Sequence, residues 1–255
     1  MREFLAQYMP PDYSAHGPAL DRLSANVHWL MLILFVGWGL LFAYMLVRFR
    51  ASKHPKAIYH GTHSHVSTYA EAGIAVVEVI LLVGFSIPLW YKWTKPPTKA
   101  ENPLEIRVVA EQFAWNVHYP GKDGIFGKAD VTHVTSSNPL GLDPNDPNGK
   151  DDIATLNQLY LEVNRPVIIH ITSKDVIHSF NLPYMRVKQD ATPGMEVPVH
   201  FTPVKTSGSE TWEIACAQLC GLGHYRMKGQ YHVQSKADFD KWMAEQVPVV
   251  SQISG

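Results

Sequence analysis

From Val27 to Val47 the chain runs for 21 residues without a formally charged side chain. At about 1.5 Å per residue, a helix of that length spans about 30 Å, the thickness of a bilayer core. Lipid offers backbone groups no hydrogen-bond partner, so such a segment has to be helical. Ser24 and Asn26 stand before it as candidate caps. A second apolar run, from about Ala72 to Trp90, ends in L-W-Y-K-W, where Trp90, Tyr91 and Trp93 suit a membrane interface. Pro88 is placed to kink or end that helix. The connection between the two runs holds Arg48, Arg50, Lys53 and Lys56, with no acidic residue before Glu71. By the positive-inside rule it lies on the cytoplasmic side, leaving both termini outside. Glu78 falls within the second run, where a carboxylate facing lipid costs a few kcal/mol; it should therefore face protein or water, which implies a membrane partner. Residues 1–26 are mixed, contain Pro10, Pro11 and Asp12, and read as a retained, loosely structured external segment rather than a signal peptide.

After Pro96-Pro97 the pattern changes to short, strand-like runs bounded by turn residues, at 104–110, 159–163, 167–172, 196–201, 211–215 and 229–233. Such spacing predicts an all-β sandwich or Greek-key barrel. The stretch 120–152 is rich in Pro, Gly, Asn and Asp but does not follow an EF-hand, so it is expected to be a surface loop. Residues 235–246 read as an amphipathic helix, capped by Ser235 and Asp238, with Phe239, Trp242 and Met243 as its apolar stripe. The expected layout is an external segment (1–26), a helical hairpin (27–95, with helices near 27–47 and 72–92), a β domain (96–247) and a tail (248–255). With 22 basic against 23 acidic residues, no nucleic-acid partner is expected.

Both cysteines of the chain lie in C-A-Q-L-C-G-L-G-H-Y-R-M, from Cys216 to Met227. Two cysteines in an exported domain usually pair. A disulfide across this loop, however, has no need of His224 and Met227, and thiolate, imidazole and thioether together form a soft donor set that suits copper. A further histidine should come from an upstream turn, and D-V-I-H-S-F supplies His178. One blue copper needs one cysteine, so the second thiolate points to two bridged metals. Such a centre would use Cys216 and Cys220 as bridges, His178 and His224 as terminal ligands, Met227 as a weak axial ligand, and the backbone carbonyl near Gln218 opposite it. No H-E-x-x-H, G-x-S-x-G or C-x-x-C-H occurs, which argues against those hydrolytic sites and against a covalently held haem.

With Q-F-A-W, N-P-L-G-L-D-P, D-V-I-H-S-F-N-L-P and K-Q-D-A-T-P-G added to the cysteine loop, nearly the whole chain resembles subunit II of the haem-copper oxidases, specifically cytochrome c oxidase with its CuA centre. The resemblance implies a cupredoxin-like Greek-key sandwich on a two-helix transmembrane hairpin, in a bacterial-type inner membrane with the copper domain on the periplasmic side. It implies two copper ions, oxidase subunits I and III as partners, and electrons arriving from a c-type cytochrome. Oxygen is then reduced to water in subunit I, coupled to proton translocation. Glu71 matches the family's glutamate at a proton-channel mouth, placed before Pro88 as that residue is.

Departures from the family are equally specific. Gln218 replaces the usual glutamate whose side chain reaches a magnesium ion at the subunit I interface, and a neutral amide is a poorer ligand for that ion. Phe113 stands where the family has its electron-accepting tryptophan, and Trp115 keeps the second. His118 and Lys174 occupy positions that are acidic on the family's docking face, although Asp175 is retained. The expected donor is therefore an associated or membrane-tethered haem protein rather than a strongly basic, freely diffusing one. A copper-free scaffold of a quinol oxidase and a membrane-tethered mononuclear cupredoxin are the alternatives.

Overall fold

The computed structural model describes residues 2–56, 59–60, 65–135 and 137–253. The chain divides into a helical unit (1–9 and 19–95) and a β unit (10–18 and 96–255).

Two helices, Gly17–Arg48 and Val66–Trp93, are long and apolar enough to cross a membrane. The first begins ten residues before the expected Val27, because the Ser14 hydroxyl accepts the Gly17 amide (3.0 Å) and Pro18 suits a first turn. Ser24 and Asn26 consequently lie inside the helix rather than capping it. The second helix passes through Pro88 by way of a π-helical turn at Leu82–Ser86. This turn accommodates a residue that has no amide hydrogen to give the preceding turn.

The β unit is a sandwich of two five-stranded sheets. One has the order β3 (Ile153–Leu156), β2 (Ala114–Tyr119), β1 (Leu104–Glu111), β5 (Val167–Ser173), β8 (Val197–Phe201). The other has the order β4 (Gln158–Glu162), β10 (Lys228–Gln234), β9 (Trp212–Cys216), β6 (His178–Leu182), β7 (Val187–Ala191). β1 and β5 pair in parallel, as do β4 and β10; the other pairs are antiparallel. Ile106, Val108, Trp115, Ile169, Phe180, Ile214 and Tyr231 fill the space between the sheets. Each large apolar side chain buried there contributes roughly 1.5–3 kcal/mol. The Tyr119 hydroxyl donates to Tyr160 O (3.1 Å) and accepts from Tyr160 N (2.7 Å), tying β2 to β4 across the core.

Three peripheral segments complete the unit. The tail helix Lys236–Glu245 is capped by Ser235 as expected, and Trp242 stacks on Tyr160 at 4.2 Å between ring centroids. The N-terminal segment, expected to be loose, is instead hydrogen-bonded into the sandwich, with Tyr13 N to Tyr184 O (2.8 Å) and Val204 N to Tyr13 O (2.8 Å). The Tyr13 ring stacks on Trp212.

The 120–152 insertion forms an ordered layer over the outer face of β1 and β2, with Leu140, Leu142 and Val249 packed against Val109 and Ala154. Its acidic and amide side chains serve as turn acceptors: Asp146 takes Lys128 N (2.7 Å), Asp130 takes Thr132 N (2.7 Å) and Asn138 takes Leu142 N (3.0 Å). That use accounts for the segment's richness in Asp and Asn.

Burial holds His16 down to about 4, and holds His118 and His232 below the ordinary histidine range. The native state therefore binds fewer protons than the unfolded chain as pH falls from about 6.5, and stability falls with it. Allowing for the partial exposure of His16, its share at pH 5 is on the order of 1 kcal/mol. Urea midpoints measured at pH 7.5 and pH 5 should show the lower value at pH 5; an unchanged midpoint would contradict this assignment.

Candidate metal centre

Three neighbouring strands of the second sheet bring the expected ligands to one end of the sandwich. β9 ends at Cys216, β6 begins at His178 beside it, and Met227 immediately precedes β10 on the other side. Because β9 runs antiparallel to both neighbours, one strand's exit meets two strands' entries. Cys216 N to Met227 O (3.3 Å) and Ala217 N to Ser179 O (2.9 Å) lock the base of the loop.

The donor atoms converge. Cys216 Sγ and Cys220 Sγ are 3.8 Å apart, well beyond a disulfide bond, and both thiols are free. Cys220 Sγ lies 3.7 Å from His224 Nδ1 and 3.7 Å from Met227 Sδ, while His178 Nδ1 lies 3.1 Å from Met227 Sδ. Ligand atoms of His178, Cys216 and Cys220 all fall within 4.8 Å of one another, a cluster that can hold a metal ion. Gln218 turns its carbonyl oxygen toward Cys216 Sγ (3.2 Å), while its residue is exposed. Burial and the neighbouring Cys216 push the Cys220 thiol up to about 11, so metal uptake has to displace a proton there.

Asp175 has a role that its sequence position did not suggest. Counted above among the docking charges, it accepts His178 Nε2 (2.9 Å), Gln112 N (2.7 Å) and Val176 N (2.7 Å). Burial opposes its ionisation, but these hydrogen bonds outweigh it and hold the carboxyl below its usual range. With Nε2–H committed to Asp175, the lone pair of His178 Nδ1 faces the sulfur cluster, as a carboxylate-oriented metal ligand requires. The i, i+3 spacing of Asp175 and His178 was the signal available in the sequence. Asp175→Asn should lower metal affinity about 10–100-fold with little change in unfolding midpoint; competition titration against a chelator is the check, and unaltered affinity would rule the role out.

A second support comes from the β1–β2 turn. Gln112 Nε2 donates to Cys220 O (2.7 Å), and the half-buried Phe113 ring lies over the loop so closely that a Cβ on Gly223 would collide with it. Gly221, at φ 133°, adopts a backbone conformation that few other residues could hold there. Trp115 is fully buried in the core, edge-on to His178 with centroids 6.1 Å apart. His118, expected on a docking surface, is also fully buried, bonded to Asp152 (2.6 Å) beneath Phe126 of the insertion. The insertion covers the face of β2 that would otherwise meet solvent. Lys174 is paired with Glu111 (2.6 Å). Glu71 is exposed on the second apolar helix, in the helical unit.

Fold and site together define a cupredoxin-like domain with a cluster that can hold a metal ion, in a chain that also has two membrane-length helices. Residues 104–230 match the family model for the periplasmic domain of cytochrome c oxidase subunit II. The chain is 31% identical over 219 residues to an alternative cytochrome c oxidase subunit 2 of Bradyrhizobium diazoefficiens, covering 86% of this chain and 76% of that one. It is 30% identical over 247 residues to a probable cytochrome c oxidase subunit 2 of Rickettsia felis, covering 94% and 74%. The chain belongs to the cytochrome c oxidase subunit II family, whose members are subunits of an oxidoreductase. Among solved structures, the periplasmic domain of subunit II of cytochrome oxidase from Bradyrhizobium japonicum aligns with a TM-score of 0.40 and 28% identity, covering 55% of this chain and 91% of that one.

Proposed function

We propose that this chain is the electron-entry subunit of a respiratory terminal oxidase, holding a dinuclear CuA centre through His178, Cys216, Cys220, His224, Met227 and the carbonyl of Gln218. The observation that carries this reading is the pair of free sulfurs 3.8 Å apart beside a buried, carboxylate-oriented imidazole. When bound, two coppers sharing an odd electron supply a one-electron relay with little change in bond length.

The chain's own groups prepare that relay. Cys216 and Cys220 would hold the coppers through their thiolates; Asp175 fixes His178, and Gln112 fixes the Cys220 carbonyl. Phe113, on the loop, and Trp115, behind it against His178, mark the side where electrons enter. Electrons go on to haem in subunit I, where oxygen is reduced to water with proton translocation, and subunit III completes the set of partners. In this reading the hairpin (27–95) spans a bacterial-type inner membrane, both termini and the copper domain (96–247) are periplasmic, and Glu71 stands at a proton-channel entrance. The side chain of Gln218 does not supply the carboxylate that the family's magnesium site uses.

The rim of the site carries Ile177, Leu219, Leu222 and Tyr225 as exposed apolar groups. Nearby, Lys174 and Glu111 neutralise each other and Asp175 is engaged with His178 and the Gln112 amide. This balance supports an associated or membrane-tethered c-type donor rather than a basic, diffusing one. The test is EPR with metal analysis on the copper-loaded full-length chain: seven hyperfine lines and two coppers support the reading. Four lines would make the site mononuclear, and no copper would make the chain a scaffold. Oxidation of a small basic cytochrome c that is fast and falls steeply with added salt would refute the donor assignment.

A further inference from the structure

The metal centre leaves the one charged group inside the second apolar run without a role. Glu78 is the sole charged residue from Ala72 to Trp90, and it is exposed along the helix. Among the described residues none pairs with it. A carboxylate held against lipid costs roughly 3 kcal/mol even on insertion scales, so something outside this chain has to cover it.

Its depth and direction are fixed by helix geometry. Seven residues from Glu71 make nearly two full turns, so both carboxylates lie on one face, about 10 Å apart along the axis. Between them that face presents Ile74 and the small Ala75. Glu78 lies about 9 Å past Ala72 and about 18 Å before Trp90, in the half of the span nearer the basic connection. Intramembrane carboxylates in such positions mark polar seams and proton relays.

We propose that Glu78 carries protons at a seam with a membrane-embedded partner, which offers it hydrogen-bond donors or water at that depth. The proposal rests on the function proposed above, in which the partner reduces oxygen and takes up one proton for each electron that the copper centre delivers. In each cycle the carboxylate gains an O–H bond to a proton arriving from the Glu71 side, loses it toward the partner, and returns unchanged. The 10 Å gap is longer than one hydrogen bond, so water in the partner's groove bridges the two carboxylates.

The experiment uses the assembled oxidase in liposomes with Glu78→Gln, Glu78→Asp and Glu71→Gln. Glu78→Gln is expected to keep the partner and the copper EPR signal but to lose roughly 10²-fold in turnover, with a flattened pH profile. Glu78→Asp should restore most of the turnover. Unchanged turnover and pH profile in Glu78→Gln overturn the proposal. So does loss of the partner in both Glu78 variants, which would make Glu78 a structural contact alone. A normal Glu71→Gln enzyme beside a slow Glu78→Gln enzyme removes only the entrance role of Glu71. A wild-type chain without the dinuclear signal removes the proposed function, whatever Glu78 does.

Discussion

Cys220→Ser is expected to abolish the dinuclear copper signal while leaving the sandwich folded. Cys220 is the hub of the cluster, 3.8 Å from Cys216 Sγ, 3.7 Å from His224 Nδ1 and 3.7 Å from Met227 Sδ. It is 4% exposed, so no water-borne donor can easily take its place. A serine hydroxyl keeps the approximate size and can still hydrogen-bond inside the loop, but as a hard, protonated oxygen it does not bridge soft metals. Loss of a positioning partner such as Asp175 costs about 10–100-fold in affinity, and loss of a bridging thiolate should exceed that range. Bound copper should fall from two to one or none, and electron delivery to the partner should drop by more than about 10²-fold. Metal analysis, EPR and a urea melt of the same sample make the check. Two coppers with seven lines in the serine variant would disprove the bridging role, and a collapsed melt would be exposed by the loss of cooperativity.

What could be read from the residues, and what could not, follows from how many faces of each element are buried. Runs with one buried face alternate and were legible: β1, β5 and β10 show alternation over most of their length, and the tail helix shows its stripe. β2 was missed because A-W-N-V-H-Y is buried on both faces, the second face being covered by the insertion, so its polar residues do not mark solvent. β6 is likewise buried nearly throughout, so it does not alternate either. β3 is only four residues long, and β7, V-K-Q-D-A, carries too much charge to stand out. Metal ligands were legible because chemistry restricts them to a few residue types at close spacing. Beyond the i, i+3 pair of Asp175 and His178 their supports were not, since Gln112 meets Asp175 and Cys220 through contacts that only the fold creates, and the same holds for Asp152 and His118 elsewhere in the domain. Asp175 reaches Gln112 across 63 positions and Gln112 reaches Cys220 across 108.

The largest expected effect on stability falls at one of those unannounced contacts. Asp152 is fully buried and holds three parts of the domain together. Its carboxylate accepts His118 Nε2 from β2 (2.6 Å) and Gly127 N from the insertion (2.8 Å), and its carbonyl accepts Val249 N from the tail (2.8 Å). Burial holds His118 below its ordinary range, so at neutral pH the imidazole is uncharged and Nε2–H is its donor to Asp152. His118 Nδ1 has no hydrogen-bond partner, and Asp152 is the ring's one polar anchor among the described residues. Asp152→Ala strips both donors of their acceptor in a place where water cannot easily replace it. Each hydrogen bond to a charged group is worth about 1.5–3 kcal/mol, so the loss of two is expected to cost about 3–5 kcal/mol. His118→Leu/Asp152→Ala should cost less than the sum of the single changes, because the first substitution removes the polar ring that the second leaves stranded. Denaturant melts of the four chains measure both quantities, and a single-variant loss under about 1 kcal/mol would show that the pair does not carry this load. The copper signal separates this effect from damage at the metal centre. Asp152 anchors the outer layer of the sheet formed by β1, β2, β3, β5 and β8, whereas the ligands sit on the other sheet. Asp152→Ala should therefore retain the seven-line spectrum until the domain unfolds, and a spectrum that changes before unfolding would tie the insertion to the geometry of the site.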